Sequence, residues 1–481
     1  MQNRLQIMKF GGSSVGDAAC IARTAEIVAD ATRDRPVVVV VSAMGGVTNR
    51  LIEAAERSAT GNEDAAKECA DELLDQNRLA IEALIRNHAR RGQLTTEVQQ
   101  IIEEVTSMCR GTALLRELTP RALAAISSGG ERLSARLVAA AMSEIDVPSV
   151  AVEASQLIVT DEDYAQAEPL GTETHERATA RLLPLLADGL TPVVTGFIGA
   201  TVDGLLTTLG RGGSDYSATI LGAALRAEEI IIWTDVDGVM TADPRIVPGA
   251  RLLREISYNE AAELAYFGAK VLHPKTLRPV AEAGIPVWIR NSFAPRQMGT
   301  KITRSGRPSE NGVKAITSID NVSLITVGGR GIVGVIGVAA KTFAAAASVR
   351  ANVLLISQSS SENDICFIVE TADAERTLSA LKAKFAPDLV HHDVEHITVD
   401  NNIAIVAAVG EKMRGTPGIA GRLFSALGRE GVNVIAIAQG SSEYNVSFVV
   451  EAGAMRKAVA AIHEEFHLDR PSGIGTPTDP D

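Results

Sequence analysis

Short apolar runs with little polar alternation punctuate the first 300 positions of the chain, at 5–8, 37–41, 148–152, 191–197, 230–233 and 287–290. Such runs predict strands buried on both faces, as in a parallel sheet. Between them apolar residues recur at helical spacing, over 18–32, through much of 50–145, and over 217–225 and 258–267. The first part of the chain therefore reads as an open, mostly parallel α/β sheet with helices on both faces. The turn after its first strand is Lys9-Phe10-Gly11-Gly12-Ser13-Ser14-Val15-Gly16, and Asp17 opens the helix that follows. Glycines let a ligand approach the backbone and helix N-termini attract anions, so this turn is a candidate anion site.

The pattern changes after the polar stretch 304–311, which carries Gly306 and Pro308 and reads as a linker. Beyond it the chain repeats. Ile356-Ser357-Gln358-Ser359-Ser360-Ser361-Glu362 returns as Ile437-Ala438-Gln439-Gly440-Ser441-Ser442-Glu443, an offset of 439 − 358 = 81. The same offset pairs Phe343 with Phe424, Phe367 with Phe448, and Glu370 with Glu451. Each copy reads strand, glycine-containing turn, helix, strand, strand, helix. Two small α+β modules are expected, with extra strand candidates at 313–316 and 390–399 whose partners stay open. The expected organisation is a domain over 1–305, a linker over 306–317, modules over 318–399 and 400–469 that share or interleave terminal strands, and a flexible polar tail over 470–481.

Composition narrows the partners. A formal charge of 46 − 59 = −13 argues against nucleic acid or an anionic membrane, which demand an excess of Lys and Arg. Anionic ligands would have to be held by local cations. Cys20, Cys69, Cys109 and Cys366 are scattered and form no CxxC pair, so neither a zinc site nor a disulfide framework is suggested. No signal-peptide pattern opens the chain and its apolar runs are too short to span a bilayer, so a soluble, cytoplasmic protein is expected.

No GxxxxGK[ST] loop is present. Gly329-Arg330-Gly331-Ile332-Val333-Gly334 fits GxGxxG, but the following strand, 353–358, ends without the acidic residue that a dinucleotide ribose needs. The remaining candidate is distributed. Glycine turns at Gly11-Gly12, Gly45-Gly46 and Gly210-Arg211-Gly212-Gly213 are expected at carboxyl ends of parallel strands, where open α/β sheets bind ligands. Around them stand the cations Lys9, Arg211 and Lys270 and the carboxylates Glu131, Asp215 and Asp235. Any one of these suits a surface ion pair, a helix cap or a turn; together they suit a binding site. His391, His392 and His396 form a histidine cluster, read as ordinary strand or surface residues.

Five segments in order, 9–14, 42–49, 128–131, 210–215 and 267–274, resemble the aspartokinase family, and the repeat resembles that family's paired ACT modules. The resemblance covers all but the tail and implies an amino-acid-kinase fold. It implies phosphorylation of L-aspartate by ATP to 4-phospho-L-aspartate, with Mg²⁺, on the route to lysine, methionine and threonine. It further implies that Lys9, with Phe10, Gly11 and Gly12, cradles the phosphates, and that Lys9 and Asp215 are catalytic. Asp215 would organise the catalytic cation and the substrate, beside Mg²⁺. Glu131 would hold the substrate ammonium, Arg211 with Gly212, Gly213 and Ser214 its α-carboxylate, and Ser42 and Thr48 its side-chain carboxylate. Thr234, Asp235, Met240, Arg245, Lys270 and Val271 would bind nucleotide, Met240 standing where several members have tyrosine. No metal-binding side-chain cluster is assigned.

Resemblance to threonine-sensitive members implies an amino-acid effector at Gln358 and Gln439, with Ile356 and Ile437. Threonine is favoured and lysine is second. A homodimer joined through the ACT modules is the expected minimum, of the monofunctional type. Another kinase of this fold acting on a different carboxylate, or a non-catalytic amino-acid sensor, is the alternative.

Overall fold

The computed structural model describes residues 4–62, 64–268, 272–307, 309, 312–329, 336–358, 364–411, 413, 416–438 and 444–470. The chain falls into two compact units, one of residues 1–239, 254–262 and 271–306, the other of residues 240–253, 263–270 and 307–481.

The first unit begins with β1 (Gln6–Phe10), α1 (Ala18–Thr32) and β2 (Val37–Val41). A helical block follows: α2 (Val47–Ala59), α3 (Asp64–Leu84), α4 (His88–Leu115), α5 (Pro120–Ser127) and α6 (Gly129–Glu144). Then come β3 (Ser149–Val152), β4 (Val159–Thr160), α7 (Gly171–Ala187), β5 (Thr191–Thr195), β6 (Ile198–Thr201), β7 (Leu206–Thr208), α8 (Gly213–Leu225) and β8 (Glu229–Thr234). After β9 (Glu255–Ser257) and α9 (Tyr258–Tyr266), whose last residues fall in the second unit, it closes with α10 (Pro274–Ala283), β10 (Val287–Asn291) and β11 (Thr300–Thr303).

Its main sheet has the order β3-β5-β2-β1-β8-β10-β11-β9, parallel from β3 through β10. Every residue of β1 and β2 is buried, which explains their unbroken apolar runs. Burying each valine of β2 is worth about 1.5–3 kcal/mol. A separate three-stranded sheet, β4-β6-β7, carries the turn Gly210–Gly213. That turn thus follows β7, which lies antiparallel to β6, and not a strand of the parallel sheet as its glycines suggest. α8 also begins at Gly213 and not near 217, because Gly212 adopts φ 71° and launches the helix directly out of the glycine run.

The second unit contains β12 (Ala315–Gly328), α11 (Val338–Ser348), β13 (Leu355–Gln358), β14 (Asp364–Glu370), α12 (Thr371–Lys384), α13 (Ala386–Val390), β15 (His396–Val409), α14 (Ile419–Arg429), β16 (Ala436–Ala438), β17 (Asn445–Glu451) and α15 (Met455–Glu465). Its antiparallel sheet runs β13-β14-β12-β15-β17-β16. β12 and β15 are 14 residues long and pair with each other along their length. The first half of each serves the other repeat: 315–319 lie beside 405–409, and 396–400 beside 324–328. The strand candidates at 313–316 and 390–399 are therefore the beginnings of continuous long strands. The second starts later than expected, since Pro387 opens the short α13 over 386–390 and His392, at φ 61°, turns the chain before β15.

The 81-residue offset recurs in the packing. Phe343 meets Phe367 edge to face at 5.7 Å, and Phe424 meets Phe448 at 6.0 Å. Residues 240–253 belong to this unit too. Ala242 is buried with Ile419, Leu423 and Phe448, and Thr241 Oγ1 lies 3.0 Å from His463 Nε2.

Phe367 and Phe448 are both fully buried at equivalent registers. Phe448→Ala and Phe367→Ala should each cost about 3–5 kcal/mol in chemical denaturation. A cost below about 1 kcal/mol for either would contradict the core described here.

Candidate active site

A pocket of about 380 Å³ in the first unit is lined by three glycine-rich turns and the start of α6. It gathers Lys9, Gly12, Ser42, Thr48, Glu131, Arg211, Gly212, Gly213, Ser214 and Asp215, residues scattered over more than 200 positions of sequence.

Lys9 ends the buried strand β1, and its Nζ lies 2.5 Å from Asp215 Oδ1 in the first turn of α8. Gly11 and Gly12 leave little room beside it. A Cβ on Gly11 would sit 3.3 Å from Lys9 Nζ, and one on Gly12 would sit 3.1 Å from the carbonyl oxygen of Ala43. Of the opening turn, Lys9 and Gly12 line the pocket, whereas the start of α1 is taken up by its own cap. Asp17 caps α1 with its own carboxylate, accepting the Cys20 N–H at 2.8 Å, and this bond holds its pKa down. The α1 terminus is thereby already satisfied by a negative charge. By contrast α2 and α8 start at left-handed glycines, Gly46 and Gly212, with no side-chain cap, and both starts line the pocket. Uncapped helix N-termini attract anions.

Glu131 enters on the first turn of α6. Gly129 and Gly130 let that turn pack tightly: a Cβ on either would lie 2.7 Å from Val105 or Ala43. Glu131 Oε1 accepts the Ala43 N–H at 3.2 Å, while the buried Oε2 has no partner among the described residues. With the side chain 3% exposed, loss of water pushes its pKa up to about 8, against the weaker pull of the Ala43 N–H and Lys9. An orphaned oxygen of this kind is a receptor for a cationic hydrogen-bond donor. Across the pocket Arg211 is exposed and has no ion-pair partner among the described residues, so its guanidinium is available to a carboxylate. His273 backs this turn, since a Cβ on Gly212 would lie 2.8 Å from its Cβ. Burial, with Arg211 and Lys275 nearby, lowers the imidazole pKa.

The other expected residues lie elsewhere. Phe10 is in the core, stacked on Trp233, and offers only its backbone. Thr234 ends β8 and Asp235 follows it, just beyond the Trp233 carbonyl that accepts the Gly11 N–H at 3.2 Å, and Thr234 Oγ1 donates to Asp235 Oδ1. Met240 and Arg245 belong to the second unit, where Met240 bridges to Leu252 and Arg245 is paired with Asp243. Lys270, Val271 and Gln439 lie outside the described residues. Gln358 is exposed at the end of β13, and Ile356 and Ile437 are exposed opposite Phe367 and Phe448. Asn49 and Phe197 line the pocket without having been expected. Asn49 stands inside a motif already singled out, whereas nothing in the sequence marks Phe197. No cluster of three metal-ligating side chains is found among the described residues.

Residues 4–291 match the Amino acid kinase family, and 325–385 and 406–466 each match the ACT domain. The chain is 37% identical to a bifunctional aspartokinase/homoserine dehydrogenase of Daucus carota, over 96% of its own length and 51% of that protein. It is 34% identical to aspartokinase 1 of Arabidopsis thaliana, covering 96% of the chain and 80% of the relative. It spans about half the length of the bifunctional plant relatives it matches. In structure it is similar to E. coli aspartokinase III in complex with aspartate and ADP, with a TM-score of 0.79, 31% identity and coverage of 96% and 99% of the two chains. The same enzyme in complex with lysine and aspartate gives 0.80, 32%, 96% and 99%.

The raised pKa of Glu131 has a stability consequence. Folded and unfolded states are both protonated below about 4.5, and the folded state is progressively penalised as pH rises from there through about 8. Glu131→Gln removes that penalty. Its melting temperature relative to the parent should therefore shift in the variant's favour between pH 5 and pH 8; a constant difference would contradict the assignment.

Proposed function

The chain belongs to the amino acid kinase family, among its aspartokinases with paired ACT domains, and we propose that it transfers the γ-phosphoryl group of ATP to the side-chain carboxylate of L-aspartate, giving ADP and 4-phospho-L-aspartate. The observation that carries this reading is the pairing, in one pocket, of a buried carboxylate oxygen lacking a partner with a free guanidinium and two uncapped helix starts. That arrangement complements an amino acid bearing two carboxylates. Glu131 takes the ammonium, Arg211 and the α8 start take the α-carboxylate, and Ser42, just after β2, with Thr48, in the first turn of α2, takes the side-chain carboxylate.

An aspartate side chain, with an ordinary pKa near 3.9, is already ionised at neutral pH and needs no general base. One of its oxygens attacks the γ-phosphorus, a P–O bond forms, and the bond from phosphorus to the ADP oxygen breaks. The difficulty is repulsion between anions, so positioning and positive charge do the work. Lys9 has three N–H donors, enough to meet phosphate oxygens while its ammonium stays ion-paired with Asp215. Thr234 and Asp235, at the end of the strand beside Lys9, take the nucleotide side, together with Gly11 and Gly12. Mg²⁺ binds through one or two carboxylates plus phosphates and water, a demand that Asp215 meets, and when bound it neutralises phosphate charge.

An amino-acid effector binds the regulatory repeats at Gln358, the last residue of β13, and at Gln439, its equivalent in the sequence repeat. Threonine is the first candidate, on the Gln-Ser-Ser-Ser-Glu and Gln-Gly-Ser-Ser-Glu segments. Lysine is the second, supported by similarity to the lysine complex of E. coli aspartokinase III. A dimer joined through these repeats completes the reading, with Ile356 and Ile437 exposed on the edge strands β13 and β16.

Trapping the acyl phosphate with hydroxylamine, with ATP, Mg²⁺ and a panel of acids, tests the reaction. L-Aspartate should give the product, and Lys9→Ala or Asp215→Asn should lower kcat by about 100-fold or more. Product from a different acid alone, or none from any, would refute the proposal.

A further inference from the structure

Phe197 has φ 68°, in the left-handed region. For a bulky residue this is an outlier of about 1–3 kcal/mol, kept only where the surroundings over-determine it. Here they do. The Phe197 N–H donates to Ser217 Oγ at 3.0 Å, and its carbonyl accepts the Leu209 N–H at 2.9 Å. Ser217 is wholly buried, and its hydroxyl donates to the Gly213 carbonyl at 2.9 Å, so one hydroxyl ties the strained turn to α8. The backbones interlock as well. A Cβ on Gly196 would lie 2.6 Å from Ser214 Cβ, and one on Gly213 would lie 2.7 Å from Phe197 Cδ2. The turn between β5 and β6 is thus locked to the first turn of α8 at distances that only glycine permits, and the Phe197 ring lies against Gly213.

This turn stands where the pocket needs a rigid boundary. Lys9, Asp215, Arg211 and Glu131 are the charged residues of the lining, and apart from glycine its apolar residues are Ala43, Met44 and Phe197, whose ring lies against Gly213, itself a lining residue. Phe197 is the aromatic one. A substrate whose ammonium and two carboxylates are fixed by charged groups and helix starts has only its methylene stem left to meet an apolar wall. Strain, two hydrogen bonds and two close glycine contacts make that wall stiff, and a stiff wall can measure length.

We propose that Phe197, clamped by Ser217 in a left-handed turn, is the specificity-determining wall that admits a four-carbon acidic amino acid and rejects its five-carbon homologue. Ser217 is a positioning residue that acts through it. The inference rests on the aspartate kinase reading and adds to it the residue that sets chain length.

The test is kcat/KM for L-aspartate and L-glutamate in the hydroxylamine assay, for the parent, Phe197→Gly, Phe197→Leu and Ser217→Ala. One methylene in a fitted pocket is worth about 10–200-fold, so the parent should prefer aspartate by at least that. Phe197→Gly tolerates the positive φ and removes the ring, and should cut the preference by about 10-fold or more, mainly by raising KM for aspartate and lowering it for glutamate. Phe197→Leu keeps an apolar side chain in the turn and carries the test if the glycine variant does not fold, with a smaller shift in the same direction. Ser217→Ala should relax the preference while leaving the ring in place. A residue that merely supports the fold would lower both activities together, so an unchanged preference in the folded variants overturns the proposal. A parent inactive on L-aspartate would instead remove the functional reading beneath it, and the parent assay alone reveals that case.

Discussion

A carboxylate buried with one oxygen unsatisfied is the constraint on which the candidate site depends. Glu131 Oε1 accepts the Ala43 N–H, Oε2 has no partner among the described residues, and the side chain is enclosed by the packing of the α6 start against α4 and the loop after β2. Leaving a buried acceptor without a partner costs about 1–3 kcal/mol, and more when it is charged. A fold retains such a group where a ligand will complete it. Loss of water raises its pKa to about 8, so the carboxyl carries a proton at neutral pH at the place that the proposed function gives to the substrate ammonium.

The remaining anion-binding capacity is backbone. The starts of α2 and α8 are glycines with positive φ and no side-chain cap, which leaves their N–H groups to the pocket; α1, by contrast, spends its terminus on Asp17. Close approach recurs around the pocket. Gly12 against Ala43, Gly130 against Ala43, Gly196 against Ser214, Gly212 against His273 and Gly213 against Phe197 all stand at distances where a methyl group would crowd its neighbour. Residues from five parts of the chain are held together around the pocket because these positions carry no side chain. Lys9 and Asp215, paired at 2.5 Å, add the charge suited to phosphoryl transfer.

Much of this was legible in the sequence. Unbroken apolar runs marked the parallel strands because both faces of β1 and β2 are covered. The 81-residue repeat was visible because each copy needs the same edge-to-face phenylalanine pair. Ten residues named from the motifs line one pocket, since a motif preserves the chemistry of a site even when its parts are far apart in sequence. What was hidden depends on tertiary context. A glycine run does not say that Gly212 will launch α8 or that β7 belongs to a second sheet. Nor does local pattern say that β12 and β15 continue for 14 residues, because pairing between the two repeats extends them. The left-handed Phe197 is invisible in sequence, since the bond it donates to Ser217 and the one it accepts from Leu209 hold a conformation its side chain disfavours.

The central claim is that the Glu131 carboxyl, protonated in the empty pocket, exchanges that proton for the ammonium of L-aspartate. Calorimetric titration of the protein with L-aspartate at pH 7, in two buffers of different ionisation enthalpy, tests it directly. With a pKa near 8 before binding, close to one proton should be released for each aspartate bound, so the observed heat should change with the buffer. Binding whose heat is the same in both buffers would contradict the account.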